Sequence, residues 1–252
     1  MIAFPGFVYP IGRAGILLAR SVRYFPIVFV RRDSRHELFR QLYACGIRTL
    51  PVLTVVALFI GMILALQVGL ELRRFNQEAL LGAAVMLTLI REMAPFCCGL
   101  CLAACVGSAL AAELGTMKVN DEIDALTIMG IPIARFLIAP RVLALVLMAP
   151  LLAFYCCILG TIGGGIVGET QLAVGFSQYI SSAMMMADAK DLFVGLVKAL
   201  VFGLLVGVVS SNEGLSTQLG AMGVGKSTQR SVIICFLLIL IFGYMITRMC
   251  YR

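Results

Sequence analysis

The stretch GAMGVGKST, Gly220 to Thr228, contains in its first eight letters the phosphate-binding pattern G-x-x-x-x-G-K-[ST]. In a phosphate loop the glycines let backbone N–H groups converge on the phosphates, between a buried strand and a helix N-terminus. Here the string lies between two long apolar runs, after SSNEGLSTQLG, and no β-rich segment adjoins it. Neither a magnesium-binding aspartate closing an apolar strand nor enough α/β sequence for a sheet accompanies it. Gly220–Ser227 is therefore expected to be a chance match in a flexible cytoplasmic turn anchored by Lys226, with no nucleotide bound. A second set is the cysteines. Cys97, Cys101 and Cys105 fall at i, i+4 and i+8, on one face of a helix, but the only histidine is the distant His36. Helix-packing residues are expected there, and no metal. A third set, Arg91, Glu92 and Lys198, is ionisable and sits in or beside apolar runs. Each costs about 2.5–3.5 kcal/mol at a membrane-helix centre, so uncompensated placement toward lipid is disfavoured. The reading is a polar patch facing a cavity, meeting lipid head groups or pairing internally; the bland alternative is that Arg91 or Lys198 snorkels to an interface.

The elements that must position these groups follow from composition. Of 252 residues, 61% are hydrophobic and 13% charged, with a mean hydropathy of +1.03. A soluble domain is nearer half apolar and a quarter charged, so the chain is built for lipid. Uncharged runs long enough to cross a bilayer, about 20 residues each, must be helices, because backbone polar groups need partners inside the segment. The predicted spans are Leu50–Leu70, a region from Ala79 to Ala112, Val142–Gly168, Leu192–Ser211 and Ser231–Thr247. The second region is about 50 Å long as a helix, too long for one straight crossing, so it bends at Pro95 or breaks in two. Gly160, Gly164 and Gly168, and Gly203 with Gly207, repeat at four-residue spacing and predict close helix packing within one subunit. The first and last spans, through Ile63, Leu66, Leu70, Leu237 and Leu240, are candidate walls of a lipid cavity.

Residues 1–48 carry eight arginines among aromatic residues and prolines, which predicts a basic helix lying in the membrane interface. Residues 49–252 form the transmembrane domain. The leader, the 111–141 segment and the 212–230 loop hold eight, three and two of the twenty Lys and Arg residues. With five crossings, that bias puts the N-terminus in the cytoplasm and the C-terminus outside. It also explains the net charge of +7 without nucleic acid. No basic n-region with a compact apolar core opens the sequence, so no cleavable signal is expected.

The 111–141 segment reads AAELGTMKVNDEIDALTIMGIPIARFLIAPR. Asn120 is the expected N-cap of a short helix of about nine residues, with Asp121, Glu122 and Asp124 in its first turn. Gly130 supplies a left-handed C-terminal residue, with Pro132 beyond. Ile123, Leu126 and Met129 fall three apart, with Ala125 and Ile128 alongside. Such a ridge docks into another protein or rests on its own membrane.

The run ELGTMKVNDEIDALTIMGIPIARFLIAPRVLAL resembles the signature of the MlaE/YrbE permeases, membrane subunits of lipid-transporting ABC systems that work with MCE proteins. FIGMILALQ (59–67), LIREMAP (89–95), VGSALAAELGTMKV (106–119), DLFVGLVKALVFG (191–203) and GVGKSTQRSVI (223–233) follow the same pattern, over about residues 40–250. The family carries a similar G-V-G-x-[AS]-T stretch without binding nucleotide there. One departure is Cys105 in AACVGSA, where the family usually has arginine.

The resemblance implies an all-α polytopic membrane protein of about five transmembrane helices, with an N-terminal interfacial amphipathic helix and a short cytoplasmic coupling helix. Its implied function is to move phospholipid or a related lipid between the inner membrane and the periplasm or outer membrane of a Gram-negative-type bacterium. Two copies would pair as a homodimer around a lipid cavity. The implied partners are a cytoplasmic ABC ATPase dimer, which alone uses ATP and Mg, an MCE-domain periplasmic protein and a small STAS-type subunit. The coupling segment 113–130 is implied in Glu113, Leu114, Gly115, Thr116, Met117, Lys118, Glu122, Ile123, Asp124, Leu126 and Met129. Charges at Glu113, Lys118, Glu122 and Asp124 would set register while Ile123 and Leu126 fill the ATPase groove. Two other classes compete. A membrane-embedded enzyme needs a buried nucleophile with a base, but the single histidine, His36, lies in the basic leader and no intramembrane aspartate pair appears. A stand-alone secondary transporter usually shows repeated halves, which five unlike spans lack.

Overall fold

The computed structural model describes residues 32–218 and 220–251. The basic interfacial helix expected in residues 1–48 falls mainly on residues 1–31, outside the described ones. Among the described residues there is no strand; the elements are helices α1 (Arg32–Cys45), α2 (Leu50–Arg74), α3 (Leu81–Thr88), α4 (Ala94–Leu102), α5 (Ser108–Val119), α6 (Glu122–Ile128), α7 (Ala139–Gln171), α8 (Phe176–Met186), α9 (Ala189–Leu215) and α10 (Gly220–Cys250). Among the described residues five helical stretches are long and apolar enough to cross a membrane: His36–Arg74, Glu78–Val119, Ala134–Gln171, Ala189–Leu215 and Gly220–Cys250.

The long second stretch runs unbroken from Glu78 to Val119 and does not split in two. Wide π turns at Leu89–Met93 and Ala103–Gly107 separate α3, α4 and α5. The first precedes Pro95, and a third, Ala134–Ile138, precedes Pro140. Proline has no N–H to close the i→i−4 bond, and a widened turn accommodates its ring. A second correction concerns the phosphate-loop string. Gly220 to Thr228 is the start of α10, not a flexible turn, and the expected 212–230 loop shrinks to the few residues between Leu215 and Gly220. Gly220 opens the helix at φ +64°, a backbone state that glycine adopts without steric cost.

The helices divide into two compact units. One comprises Leu50–Cys101, Ala149–Val201 and Ile241 onward. In it α2 buries the row Leu53, Ala57, Gly61, Ala65 and Gly69, four residues apart. A Cβ on Gly61 would strike the Gly160 carbonyl, so these backbones meet because neither residue has a side chain. α8, which the sequence reading did not foresee, packs here through the fully buried Tyr179. Gly164 makes room for that ring, Gly165 for it and Phe176, and Gly82 for the α8 backbone at Tyr179. Ala65, Leu81, Val85, Leu89, Val167 and Leu172 complete the core.

The other unit comprises the described residues up to Thr49, Leu102–Met148 and Phe202–Leu240. Gly207 lies against Val142 and Leu145, and Gly214 against Leu114 and Ala111. Paired hydroxyls replace apolar contact along one seam: Ser231 donates to Ser210 at 2.9 Å, and Thr217 lies 2.9 Å from Ser227. Short side chains allow α9 and α10 to approach while these four hydroxyls find partners.

Candidate functional site

Two polar constellations stand out, one in each unit. In the first unit, the missing N–H of Pro95 leaves the Arg91 carbonyl without its usual helical donor. Lys198 Nζ takes that carbonyl at 2.8 Å and also donates to Glu92 Oε1 and Thr247 Oγ1, both at 2.7 Å. An ammonium has three donors and no acceptor, so all its hydrogens are used, and its side chain is 1% exposed. The Thr247 hydroxyl in turn lies 2.7 Å from Glu92 Oε1 and 2.8 Å from the Gly243 carbonyl, either of which accepts its proton. Beside this node, Arg91 Nη2 pairs with the nearly buried Asp191 at 2.8 Å, and its guanidinium lies 4.4 Å from the Tyr251 ring centroid.

The three residues expected to form a polar patch are thus brought together, and they pair internally. Two cations face two carboxylates, so the cluster is neutral overall. It is not sealed: Glu92 and Arg91 are 39% and 37% exposed at their side chains. One carboxylate edge and one guanidinium edge stay open to a polar ligand. Asp191, Thr247 and Tyr251 were missed. An intramembrane lysine signals that acceptors must exist, but a hydroxyl 49 residues away carries no local mark.

In the second unit, the short helix after α5 is α6, seven residues from Glu122 to Ile128. Asn120 is not its N-cap. That residue ends α5, its N–H bonding the Thr116 carbonyl at 3.0 Å, and Asp121 precedes α6 in a left-handed conformation, φ 57°. Asp121 itself takes the cap position, without a capping side-chain hydrogen bond. The C-terminus follows expectation: Gly130, φ +73°, donates to Thr127 and Ile131 donates to Leu126, both at 3.0 Å, the paired bonds of a Schellman stop.

Side chains of this segment divide differently from the expected pattern. Ile123 is 3% exposed and packs into its own unit, as do Leu114 and Gly115, so Ile123 is not available to fill a partner groove. Leu126 is half-buried, while Ile128 and Met129 are 87% and 72% exposed. The ridge open for docking is therefore Leu126, Ile128 and Met129. The charges turn inward too. Lys118 grips both carboxylate oxygens of Asp124 at 2.7 and 2.8 Å, tying α6 to α5. Glu113 accepts from Arg141 Nη2 at 2.7 Å. Thr116 donates to the Ala112 carbonyl at 2.9 Å, Met117 is half-buried, and Glu122 remains exposed. Arg141 was missed because its partner lies 28 residues earlier, across a turn.

The cavity-wall candidates Ile63, Leu66, Leu70, Leu237 and Leu240 are all exposed on the single chain, by 37–58%. Only 28% and 11% of the most apolar stretches of the first and last spans are buried, against 50–56% in the other three. Those two helices need lipid or another protein to cover them. Cys105 is exposed while Cys97 is buried; the π turn at Ala103–Gly107 inserts a residue and rotates it off the shared face.

A family model described as Permease MlaE matches residues 38–249. A probable ABC transporter permease protein of Rickettsia bellii is 34% identical over 250 residues, 96% of each chain. A probable ABC transporter permease protein of Synechocystis is 32% identical over 86% of this chain and 82% of its own. The intermembrane phospholipid transport system permease protein MlaE of Haemophilus influenzae is 31% identical, covering 96% of this chain and 92% of its own.

Proposed function

The chain belongs to the MlaE permease family, and on that premise we propose that it is the non-catalytic membrane subunit of an ABC transporter that moves phospholipid between the inner membrane and the periplasm or outer membrane. A separate ATPase supplies the energy and holds the ATP and Mg. The observation that carries this reading is α6: a stopped seven-residue helix whose exposed apolar ridge ends in Ile128 and Met129, clamped to α5 by Lys118–Asp124. A lever must be stiff to transmit motion. The bidentate clamp and the Schellman stop fix both ends, while Ile128 and Met129 have no cover of their own.

The exposed faces of α2 and α10 suit a homodimer that encloses a lipid cavity, with Ile63, Leu66, Leu70, Leu237 and Leu240 on its wall. In this reading the open edges of Glu92 and Arg91 meet a phospholipid headgroup and Lys198 holds them in place. An MCE-domain protein receives the lipid on the periplasmic side, where the C-terminus lies, and a small STAS-type subunit accompanies the ATPase. Leu126→Asp or Ile128→Asp abolishes co-purification of the ATPase while the chain stays in the membrane at normal level; unchanged co-purification removes α6 from the interface. Normal lipid transport by both Glu92→Ala and Lys198→Ala reduces their cluster to a structural one.

A further inference from the structure

The unit that carries α6 also contains a cleft of about 800 Å3 that nothing above uses. Its polar side is Arg40, Gln41, Arg48 and Glu113, and its apolar side is Tyr43, Val106, Ala109 and Leu110. Arg48 precedes by two residues the uncharged run that begins at Leu50. The guanidinium groups therefore sit where charge gives way to hydrocarbon-compatible sequence, the depth of lipid phosphates.

The charges around the cleft do not balance. Arg40 lies 3.3 Å from Glu37 and 3.9 Å from Glu113, and Glu113 is held by Arg141 at 2.7 Å. Arg48 makes no ion pair among the described residues. Arg141 keeps Nε and Nη1 buried without a partner. Of the described charged residues that line the cleft, Arg40 and Arg48 stand against the single carboxylate of Glu113, which Arg141 already holds from behind. A phosphate offers several acceptor oxygens, two of which match the planar fork of an arginine.

We infer that this cleft binds the phosphate of a phospholipid headgroup between Arg40 and Arg48, with an acyl chain along Val106, Ala109 and Leu110. The amphipathic lining selects a phosphate attached to hydrocarbon: the arginines alone would hold free phosphate, and the apolar wall alone would hold diacylglycerol. The ligand's identity as a lipid rests on the transport reading above, but the site shares no residue with the Arg91–Glu92–Lys198 cluster.

Cys105 lines the cleft and its thiol is exposed, so the molecule carries its own probe. The test uses the full chain in neutral detergent with Cys250→Ser, following maleimide alkylation of Cys105 by mass spectrometry of its peptide. A short-chain phosphatidylglycerol at about four times its Kd slows alkylation by about fivefold. Short-chain diacylglycerol and inorganic phosphate do not, and Arg40→Ala/Arg48→Ala abolishes the protection. Buried Cys235 reports the fold: if the double variant exposes it, Arg48→Ala alone is read instead. Equal protection by diacylglycerol, protection by inorganic phosphate alone, no protection by the phospholipid, or protection that survives the arginine substitutions each overturns the assignment. No ATPase takes part, so this failure is separable from failure of the α6 reading.

Discussion

The Lys198 cluster and the Arg141 cluster are both built on a buried cation, and they solve its desolvation in opposite ways. Lys198 spends three donors on three acceptors, one of them a carbonyl released by a proline. Arg141, 3% exposed, spends one nitrogen on Glu113 and leaves Nε and Nη1 without partners. A satisfied buried charge rigidifies its surroundings, whereas an incompletely satisfied one costs stability and holds unused capacity. The first ties three helical segments together, and the second leaves two donors unspent.

Substitutions can break that contrast. The largest effect is expected from Lys198→Met, which strands Glu92 and the Arg91 carbonyl together and costs about 3 kcal/mol, reduced from a fully buried pair because Glu92 is part-exposed; unfolding of the chain in detergent measures it. Glu113→Ala comes next, at about 2 kcal/mol, because it leaves Arg141 buried with no counter-charge. Thr247→Val removes one acceptor from Lys198 and costs about 1 kcal/mol. The smallest effect is the most telling. Arg141→Met, which removes the unpartnered donors with the charge, stays within about 1 kcal/mol of the parent, and Glu113→Ala adds little on top of it. If Arg141→Met instead costs as much as Lys198→Met, the two clusters are alike and the contrast is lost.

Much of the architecture was legible from local rules. Five spans, the stop at Gly130 and Pro132, and the glycine seams follow from runs, caps and four-residue spacing. Gly160 and Gly164 do lie at close contacts within the chain, against Leu89 and Tyr179. The errors share a cause. Asn120 has the right residue type for an N-cap, but a turn so tight that Asp121 adopts the left-handed state overrode that preference. Residues 220–228 look like a turn because glycine-rich strings usually are. Here the string is helical, and its first turns are tied by Ser227 to Thr217 in the connector and by Ser231 to Ser210 on the preceding span. α8 was missed because, at eleven residues, it is too short to show a membrane run.

Composition and periodicity by themselves settled that this chain lives in lipid as helices, because hydrocarbon leaves the backbone no other way to satisfy its polar groups. They also named the ionisable residues that such a solvent obliges to find partners. Which partners those are was decided only in three dimensions. Lys198 meets Glu92, 106 positions away, and Thr247, 49 positions on, while Ile123 turns inward and Ile128 outward on one short helix. Hydrogen bonds and burial depend on distance in space, and a pattern along the chain records distance in sequence.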